Sequence, residues 1–272
     1  GVGTLSNPTG HSNVQVTSGT ATSGGSWTVS GSGTSTLYTF TPSADNANIN
    51  VSDITNRLIG SGTTKGSVWI VTTNGTGTQV GNVNFGVNVS ASNSGSSRYR
   101  LEVDAGGDIV VSSGISLQGG EWNNSSNFGY NVDFDAIGNV LLNNSLNTSG
   151  QSANLCCSNI VYSNGGNVVL SAGGYVKVGG SITTSGGSNS GNGGTISNGG
   201  TVSITGAGGV TLTSGITALG VNGSSGTITI SSGNGTVTSG SGSGVNDGQV
   251  SGLLQGGNFV KTGSGIFMIK GS

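Results

Sequence analysis

The chain has 272 residues, a formal net charge of −2 and only 6% charged residues, and it contains 56 Gly, 45 Ser, 31 Thr and 30 Asn. Seven Lys and Arg in total cannot form the basic surface that follows a phosphate backbone, so nucleic-acid binding is excluded. No run of about 18 apolar residues is present to insert into a bilayer, and two prolines without a three-residue glycine period exclude collagen. The ordered arrangement of Val, Ile and Leu favours a β-rich repeat protein over a disordered chain.

The first 47 residues contain short alternating segments marked by Trp27, Val29, Tyr38 and Phe40. We predict that these segments are short strands that form a cap on the rest of the fold. The sequence that follows, VSDITNRLIG, predicts a single helical turn capped by Ser52. This turn would place Ile54, Leu58 and Ile59 on one side.

A frame of about twenty residues then recurs, with copies beginning at Leu101, Val132, Val168, Val202 and Ile228. Weaker pieces of one more copy lie upstream at 68–71 and 82–89. Each frame holds three segments in which apolar and polar residues alternate, as in half-buried strands.

The aligned positions of the frame are apolar in every copy. In the first segment they are Leu101, Val132, Val168, Val202 and Ile228, followed by Val103, Phe134, Leu170, Ile204 and Ile230. In the second they are Ile109, Val140, Val176 and Val210, followed by Val111, Leu142, Val178 and Leu212. In the third they are Ile115, Leu146, Ile182 and Ile216.

These columns select an architecture, because one frame cannot bury its apolar face alone, whereas stacked copies bury it continuously. The sequence predicts an all-β fold, a right-handed parallel β-helix (β-solenoid) over residues 48–257 with about three strands per coil and coils about 4.8 Å apart. Gly-Gly, Ser-Gly and Asn-Gly pairs between the segments are predicted to supply the positive φ of sharp corners. Residues 1–47 would form the N-terminal cap. Residues 258–272, with NFVKT and IFMIK joined by 263–265, would form a C-terminal β-hairpin suited to a subunit contact.

Four carboxylates are predicted to lie on one outer face of the β-helix: Glu102, Asp104, Asp133 and Asp135. When Leu101 and Val103 point inward, Glu102 stacks on Asp133 and Asp104 on Asp135. The group is a candidate Ca²⁺ site or the acid and base of a polysaccharide-cleaving enzyme. The alternative is a solvated patch that Arg98 and Arg100 partly neutralise.

Two insertions between copies carry other candidate residues. The first, residues 121–130, contains Trp122, Phe128 and Tyr130 beside several Asn, a composition that suits contact with a sugar or a protein. Its aromatic side chains could equally fold back over an apolar flank of the β-helix. The second insertion holds Cys156 and Cys157. They are two small residues in a loop, or a pair with one side chain turned inward, or they form a bond between subunits in an oxidising setting.

The repeat resembles the β-helical shafts of filamentous-haemagglutinin-type adhesins, which are exported by two-partner secretion. The resemblance covers roughly residues 48–240 and rests on VSDITNRLIGSG, SVWIVT, RLEVDAGGDIVVSSGISLQGG and GNVVLSAGGYVKVGGSITTSGG. The tail GGNFVKTGSGIFMIKGS is similar to the strand repeat of autotransporter passengers. This resemblance implies an extracellular protein at a bacterial cell surface.

We therefore expect a secreted, non-catalytic shaft without a cofactor, apart from the candidate Ca²⁺. Because a solenoid has open strand edges at both ends, copies are expected to associate end to end into a surface filament through residues 1–46 or 258–270. Two alternatives remain from the sequence. One is a carbohydrate-binding adhesin module for a host or matrix glycan, and the other is a polysaccharide-cleaving β-helix enzyme.

Overall fold

The computed structural model describes residues 10–74, 76–120, 126–152, 160, 162–191, 194–233, 248–250, 254–256, 258–262 and 267–269. Within these residues the fold is a β-solenoid built from three sheets, and nearly all of the strand pairs are parallel. The predicted fold class is confirmed, while the right-handed sense of winding stays a prediction.

The N-terminal region supplies the elements that close one end of the solenoid. They are β1 (Val14–Thr17), β2 (Gly25–Ser30), a 3-10 turn (Gly33–Ser35), β3 (Leu37–Pro42), β4 (Ala47–Asn50), α1 (Val51–Ile59) and β5 (Ser67–Val71).

Six turns of three strands follow, and β24 (Phe267–Ile269) comes after the sixth. The first three turns are β6 (Val83–Phe85), β7 (Val89–Asn93), β8 (Arg100–Ala105); β9 (Ile109–Val111), β10 (Ile115–Gly119), β11 (Asn131–Ala136); and β12 (Val140–Leu142), β13 (Leu146–Asn147), β14 (Val168–Ala172). The next three are β15 (Tyr175–Val178), β16 (Ile182–Thr183), β17 (Val202–Gly206); β18 (Gly209–Leu212), β19 (Ile216–Thr217), β20 (Thr227–Ser232); and β21 (Gly248–Val250), β22 (Leu254–Gln255), β23 (Asn258–Thr262).

Each turn contributes one strand to each sheet. We call the sheets first, second and third in the order in which a turn visits them. The first runs β4-β1-β6-β9-β12-β15-β18-β21-β24, the second β7-β10-β13-β16-β19-β22, and the third β2-β3-β5-β8-β11-β14-β17-β20-β23. Equivalent residues of successive turns therefore stack along the axis of the solenoid.

The apolar columns predicted from the repeat are confirmed by strand register. Leu101 pairs with Val132, Val132 with Val168, and the other columns continue in the same way through the later turns. Every one of the aligned side chains is at most 1% exposed. The rings of Phe85 and Phe134 stack with their centroids 5.7 Å apart. Stacked Val, Ile, Leu and Phe thus form one continuous core, and each such side chain contributes roughly 1.5–3 kcal/mol when buried.

Glycines at the corners let the backbones of neighbouring turns approach each other closely. The prediction that these glycines supply a positive φ is therefore wrong. Among the described glycines from residue 101 onward, only Gly209 has a positive φ. A Cβ on Gly166 would overlap the carbonyl oxygen of Tyr130, and one on Gly200 would overlap that of Gly166. Neighbouring turns come so close at this corner that no side chain fits between them.

Side chains of Asn and Asp connect successive turns at other corners, a feature that the apolar pattern did not predict. The backbone N–H of Asp108 donates to Asn82 Oδ1 at 2.7 Å, that of Asn139 to Asp108 Oδ1 at 2.7 Å, and that of Tyr175 to Asn139 Oδ1 at 2.9 Å. A second series joins Asn131, Asn167 and Thr201 in the same manner. We call these series asparagine ladders. They satisfy backbone donors where the chain leaves one sheet for the next.

The N-terminal cap is woven into the sheets rather than added to their end. Strand β1 lies between β4 and β6 in the first sheet and pairs in parallel with both. Strand β2 pairs antiparallel with β3 and forms the edge of the third sheet. Helix α1 packs against β7, at the point where a preceding strand of the second sheet would lie. At this end α1 therefore covers the second sheet, while β4 and β2 are the terminal strands of the first and third sheets.

Helix α1 is longer than the single turn predicted, and its capping residue differs. Its N-cap is Asn50, whose side chain accepts a hydrogen bond from the Ser52 backbone N–H at 3.0 Å. Ile54 and Leu58 are fully buried as predicted, whereas Ile59 is 41% exposed. The prediction for Ile59 is wrong because the helix continues to this residue and turns its side chain away from the core.

The predicted C-terminal hairpin is also wrong. Strand β23 pairs in parallel with β20 of the third sheet, and β24 pairs in parallel with β21 of the first sheet. The two strands therefore lie in different sheets and continue the solenoid. The two alternating segments thus have the same role as those of the earlier turns.

Candidate functional site

The four predicted carboxylates lie on the outer side of the third sheet. Strand register pairs Glu102 with Asp133 and Asp104 with Asp135, so the predicted juxtaposition is confirmed. We call this group the acidic face. The inward neighbours Leu101 and Val103 are fully buried, which fixes the outward direction of the carboxylates.

The electrostatics of the acidic face are unfavourable for its charges. Burial, followed by the charge of Glu102, raises the pKa of the Asp104 carboxyl, although a hydrogen bond from Trp69 Nε1 at 3.1 Å opposes this rise. Burial and the same Glu102 charge raise the pKa of Asp133. Arg100 Nε lies 2.6 Å from Glu102 Oε2 and neutralises part of this repulsion.

Arg98 has a different role from the neutralising one predicted for it. Its Nη1 donates to the Gly165 carbonyl oxygen at 3.0 Å, and its guanidinium lies over the Phe128 ring, 5.0 Å from the centroid. Burial lowers the pKa of Arg98, yet this residue stays protonated because guanidinium pKa values start so high. The acidic face therefore keeps only Arg100 as a bound counter-charge among the described residues.

The acidic face does not gather into a metal-binding cluster. Within the part of the chain that the structure describes, no group of three or more His, Cys, Asp or Glu is arranged to hold a metal ion. The register brings the carboxylates together as two facing pairs instead of a converging set, whereas Ca²⁺ takes six to eight oxygen ligands. The arrangement thus gives no support to the candidate Ca²⁺ site.

The aromatic residues predicted to contact a ligand differ in their burial. Tyr130 is fully buried, and its hydroxyl donates to the Leu58 carbonyl oxygen at 3.0 Å. A surface contact for Tyr130 is therefore wrong, and the residue packs between the solenoid and α1. Phe128 is half-buried beneath Arg98. Trp122, Cys156 and Cys157 lie outside the described residues.

A polar cleft, which sequence reasoning missed, lies on the outer side of the second sheet. Its volume is about 690 Å³. The lining residues come from four successive turns: Ser90, Ala91, Ser92, Ser116, Gln118, Gly119, Ser149, Gly150, Gln151, Ser152, Ser185 and Gly186. Hydroxyl and carboxamide groups dominate this lining, and none of the lining residues that the structure describes is charged. We call it the serine cleft.

One row of polar side chains runs through the serine cleft along the solenoid axis. Ser92 pairs with Gln118 in register, and the pairing continues to Ser149 and then to Ser185 through the turns that follow. The Gln118 side chain is oriented by a hydrogen bond from its Nε2 to Ser116 Oγ at 2.7 Å. These polar residues recur in the sequence with the same spacing as the apolar columns, so the repeat could indicate a polar row. It does not indicate that the row lines a cleft.

Comparison of the chain with models of known protein families, with curated proteins and with solved structures gave no significant match. No helix in the described parts of the chain is long and apolar enough to cross a membrane. What is shown is therefore the architecture, a β-helical repeat protein.

Proposed function

We propose that the protein is a non-catalytic extracellular shaft of the filamentous-haemagglutinin or autotransporter-passenger type. The observation that supports this role is the continuous column of buried aliphatic side chains through successive turns in one parallel register. Such a column makes a stiff rod, because each turn is held by both of its neighbours. The uncharged Ser, Thr and Asn of the outer face suit a protein exposed to solvent at a bacterial surface.

The asparagine ladders support the same role. They bind the corners of adjacent turns together at 2.7–2.9 Å, so the corners as well as the sheets resist bending. In this proposal the insertions between turns are displayed at fixed positions along the shaft. Adhesion would be a property of such displayed segments, while the solenoid supplies their spacing.

End-to-end association remains part of the proposal, with an asymmetry that the sequence did not predict. At the N-terminal end α1 covers the second sheet, whereas β4 and β2 end the first and third sheets with one strand neighbour each. At the other end, each of β22, β23 and β24 has one strand neighbour among the described residues. Because only this second end has no helix beside its terminal strands among the described residues, we expect association through strand pairing to use it.

Electron microscopy and small-angle scattering of the purified chain test the shaft proposal by measuring the length of the particles. Nine strands stacked about 4.8 Å apart predict a rod of roughly 40 Å for a single copy. Filaments would appear as longer rods whose fraction rises with protein concentration. A scattering profile of a compact sphere would contradict the proposal.

A pair of edge variants tests which end associates. Val260→Lys places a charge on β23, and Val29→Lys places one on β2, where the native side chains are 40% and 63% exposed. Because charged residues disfavour edge pairing, we expect Val260→Lys to reduce association and Val29→Lys to leave it unchanged. The reverse order would refute the assigned polarity.

Acid–base cleavage of a polysaccharide is the alternative, and the facing Asp104–Asp135 pair favours it. A general acid needs a raised pKa, as burial and Glu102 give to Asp104. The test is the release of reducing ends from polygalacturonate by the wild-type chain and by Asp104→Asn and Asp135→Asn. Turnover that both variants abolish would replace the structural proposal with this one.

A further inference from the structure

The serine cleft has the chemistry of a site for an uncharged, hydroxyl-rich chain. We propose that it binds a neutral oligosaccharide lying along the solenoid axis. The proposal goes beyond the shaft role and depends on it only for the extracellular setting in which such glycans occur.

The lining decides between classes of ligand. Its described residues include no Lys or Arg to pair with a phosphate, sulfate or uronate group, and no Asp or Glu to coordinate a cation. Among these described residues the one apolar side chain is that of Ala91, which is 5% exposed, so they form no apolar pocket for a drug-like ligand or an amphipathic helix. Serine hydroxyls and glutamine carboxamides both donate and accept hydrogen bonds, as sugar hydroxyls do.

The position of the serine cleft also argues against a peptide strand as its ligand. It lies on the face of the second sheet, where β10 is hydrogen-bonded to β7 on one side and to β13 on the other. The backbone groups that strand addition requires are therefore already used. Only side chains and the corner backbone remain to recognise a ligand.

The shape of the cleft indicates an extended ligand. The polar row Ser92, Gln118, Ser149 and Ser185 advances by one turn at each residue. Four turns span three spacings of about 4.8 Å, or roughly 14 Å along the axis. A linear chain of a few sugar units occupies this length, and a monosaccharide leaves most of it empty.

Gln118 is the central recognition residue in this proposal. It lies in the second of the four turns, and its hydrogen bond to Ser116 Oγ holds the carboxamide in one orientation before any ligand arrives. Among the described residues no group donates a hydrogen bond to the Gln118 Oε1. Gln151, 8% exposed, is held from behind by Asn127 Nδ2 at 2.6 Å and supports the floor of the cleft.

The experiment is calorimetric titration of the full chain with neutral gluco-, manno- and galacto-oligosaccharides of two to six units. Oligogalacturonate and heparin fragments are the acidic comparison, and a serine-rich peptide is the protein comparison. We expect at least one neutral series to bind, with affinity rising with chain length and levelling off once about 14 Å is filled.

Two variants locate the binding. Gln118→Ala is expected to weaken it by about two- to tenfold, the range for loss of one or two neutral hydrogen bonds. Thr183→Ala removes an outward hydroxyl from β16 of the same sheet outside the cleft and is expected to leave affinity unchanged. Matching far-ultraviolet circular dichroism and melting temperatures establish that both variants are folded.

Several results would overturn the proposal. They are binding of none of the neutral series, tighter binding of the acidic fragments or the peptide, or equal affinities of wild type and Gln118→Ala. Each of these leaves the rod dimensions untouched, so failure of the serine cleft is distinguishable from failure of the shaft.

Discussion

Replacing Asp104 by Asn is expected to stabilise the protein at neutral pH. The carboxylate of Asp104 faces that of Asp135 in the next turn, and the charge of Glu102 acts on it from the same strand. The substitution removes the charge and keeps the shape. Its side-chain oxygen can still accept the hydrogen bond that Trp69 Nε1 donates at 3.1 Å. Like charges that face each other across strands cost roughly 0.2–1 kcal/mol.

We expect the gain in the free energy of unfolding to lie near the middle of that range, because Asp104 is partly exposed and solvent screens the repulsion. About 0.5 kcal/mol corresponds to an increase in melting temperature of roughly 1–2 °C for a chain of this size. The pH dependence gives a sharper test. Burial and Glu102 raise the folded pKa of Asp104 above its unfolded value, so the folded state binds this proton more tightly. The stability that this proton provides is present at low pH and is lost as pH rises from about 3.9 through the folded pKa.

The assay is thermal unfolding followed by circular dichroism from pH 3 to pH 8. The wild type and Asp104→Asn should melt together near pH 3 and diverge above it, with the variant more stable. Asp108→Asn is the matched control, because it also removes one negative charge and retains the acceptor for the Asn139 backbone N–H. If both variants shift equally, or if Asp104→Asn melts lower at pH 7, the repulsion argument is refuted.

Three further predictions concern the core, a ladder and a buried phenol. Phe134→Ala should destabilise the solenoid by about 3–5 kcal/mol, because it leaves a cavity against a stacked ring in the continuous core, and denaturant unfolding would measure the loss. Asn82→Ala should cost about 1 kcal/mol, because the 2.7 Å bond from the Asp108 backbone N–H is lost; the same assay should find Asn82→Asp near wild type, and equal losses in the two variants would contradict the ladder. Burial raises the pKa of Tyr130, so its neutral form stabilises the fold below the unfolded pKa of about 10, and this stability is lost as pH rises above that value. Ultraviolet titration should show this phenol ionising only together with unfolding, and Tyr130→Phe should remove that late step.

The sequence by itself determined the repeating core and the acidic face. A column such as Leu101, Val132 and Val168 is readable because every copy must bury the same position, and a buried position accepts only apolar residues. Once these residues point inward, strand alternation places Glu102 and Asp133 outward and side by side. Local alternation and a fixed repeat were sufficient for both results.

Tertiary structure alone decided the ends, the corners and the serine cleft. Strand β1 lies between β4 and β6, and β23 and β24 fall in different sheets, because pairing partners are chosen by stacking on the neighbouring turn. Gly166 is required by the Tyr130 carbonyl oxygen of another turn, a contact between residues 36 positions apart in sequence. The serine cleft arises where Gln118 and Ser149 of different turns share one surface. Such features depend on contacts between different turns. The pattern of apolar and polar residues along the sequence does not show how close residues of different turns lie to one another.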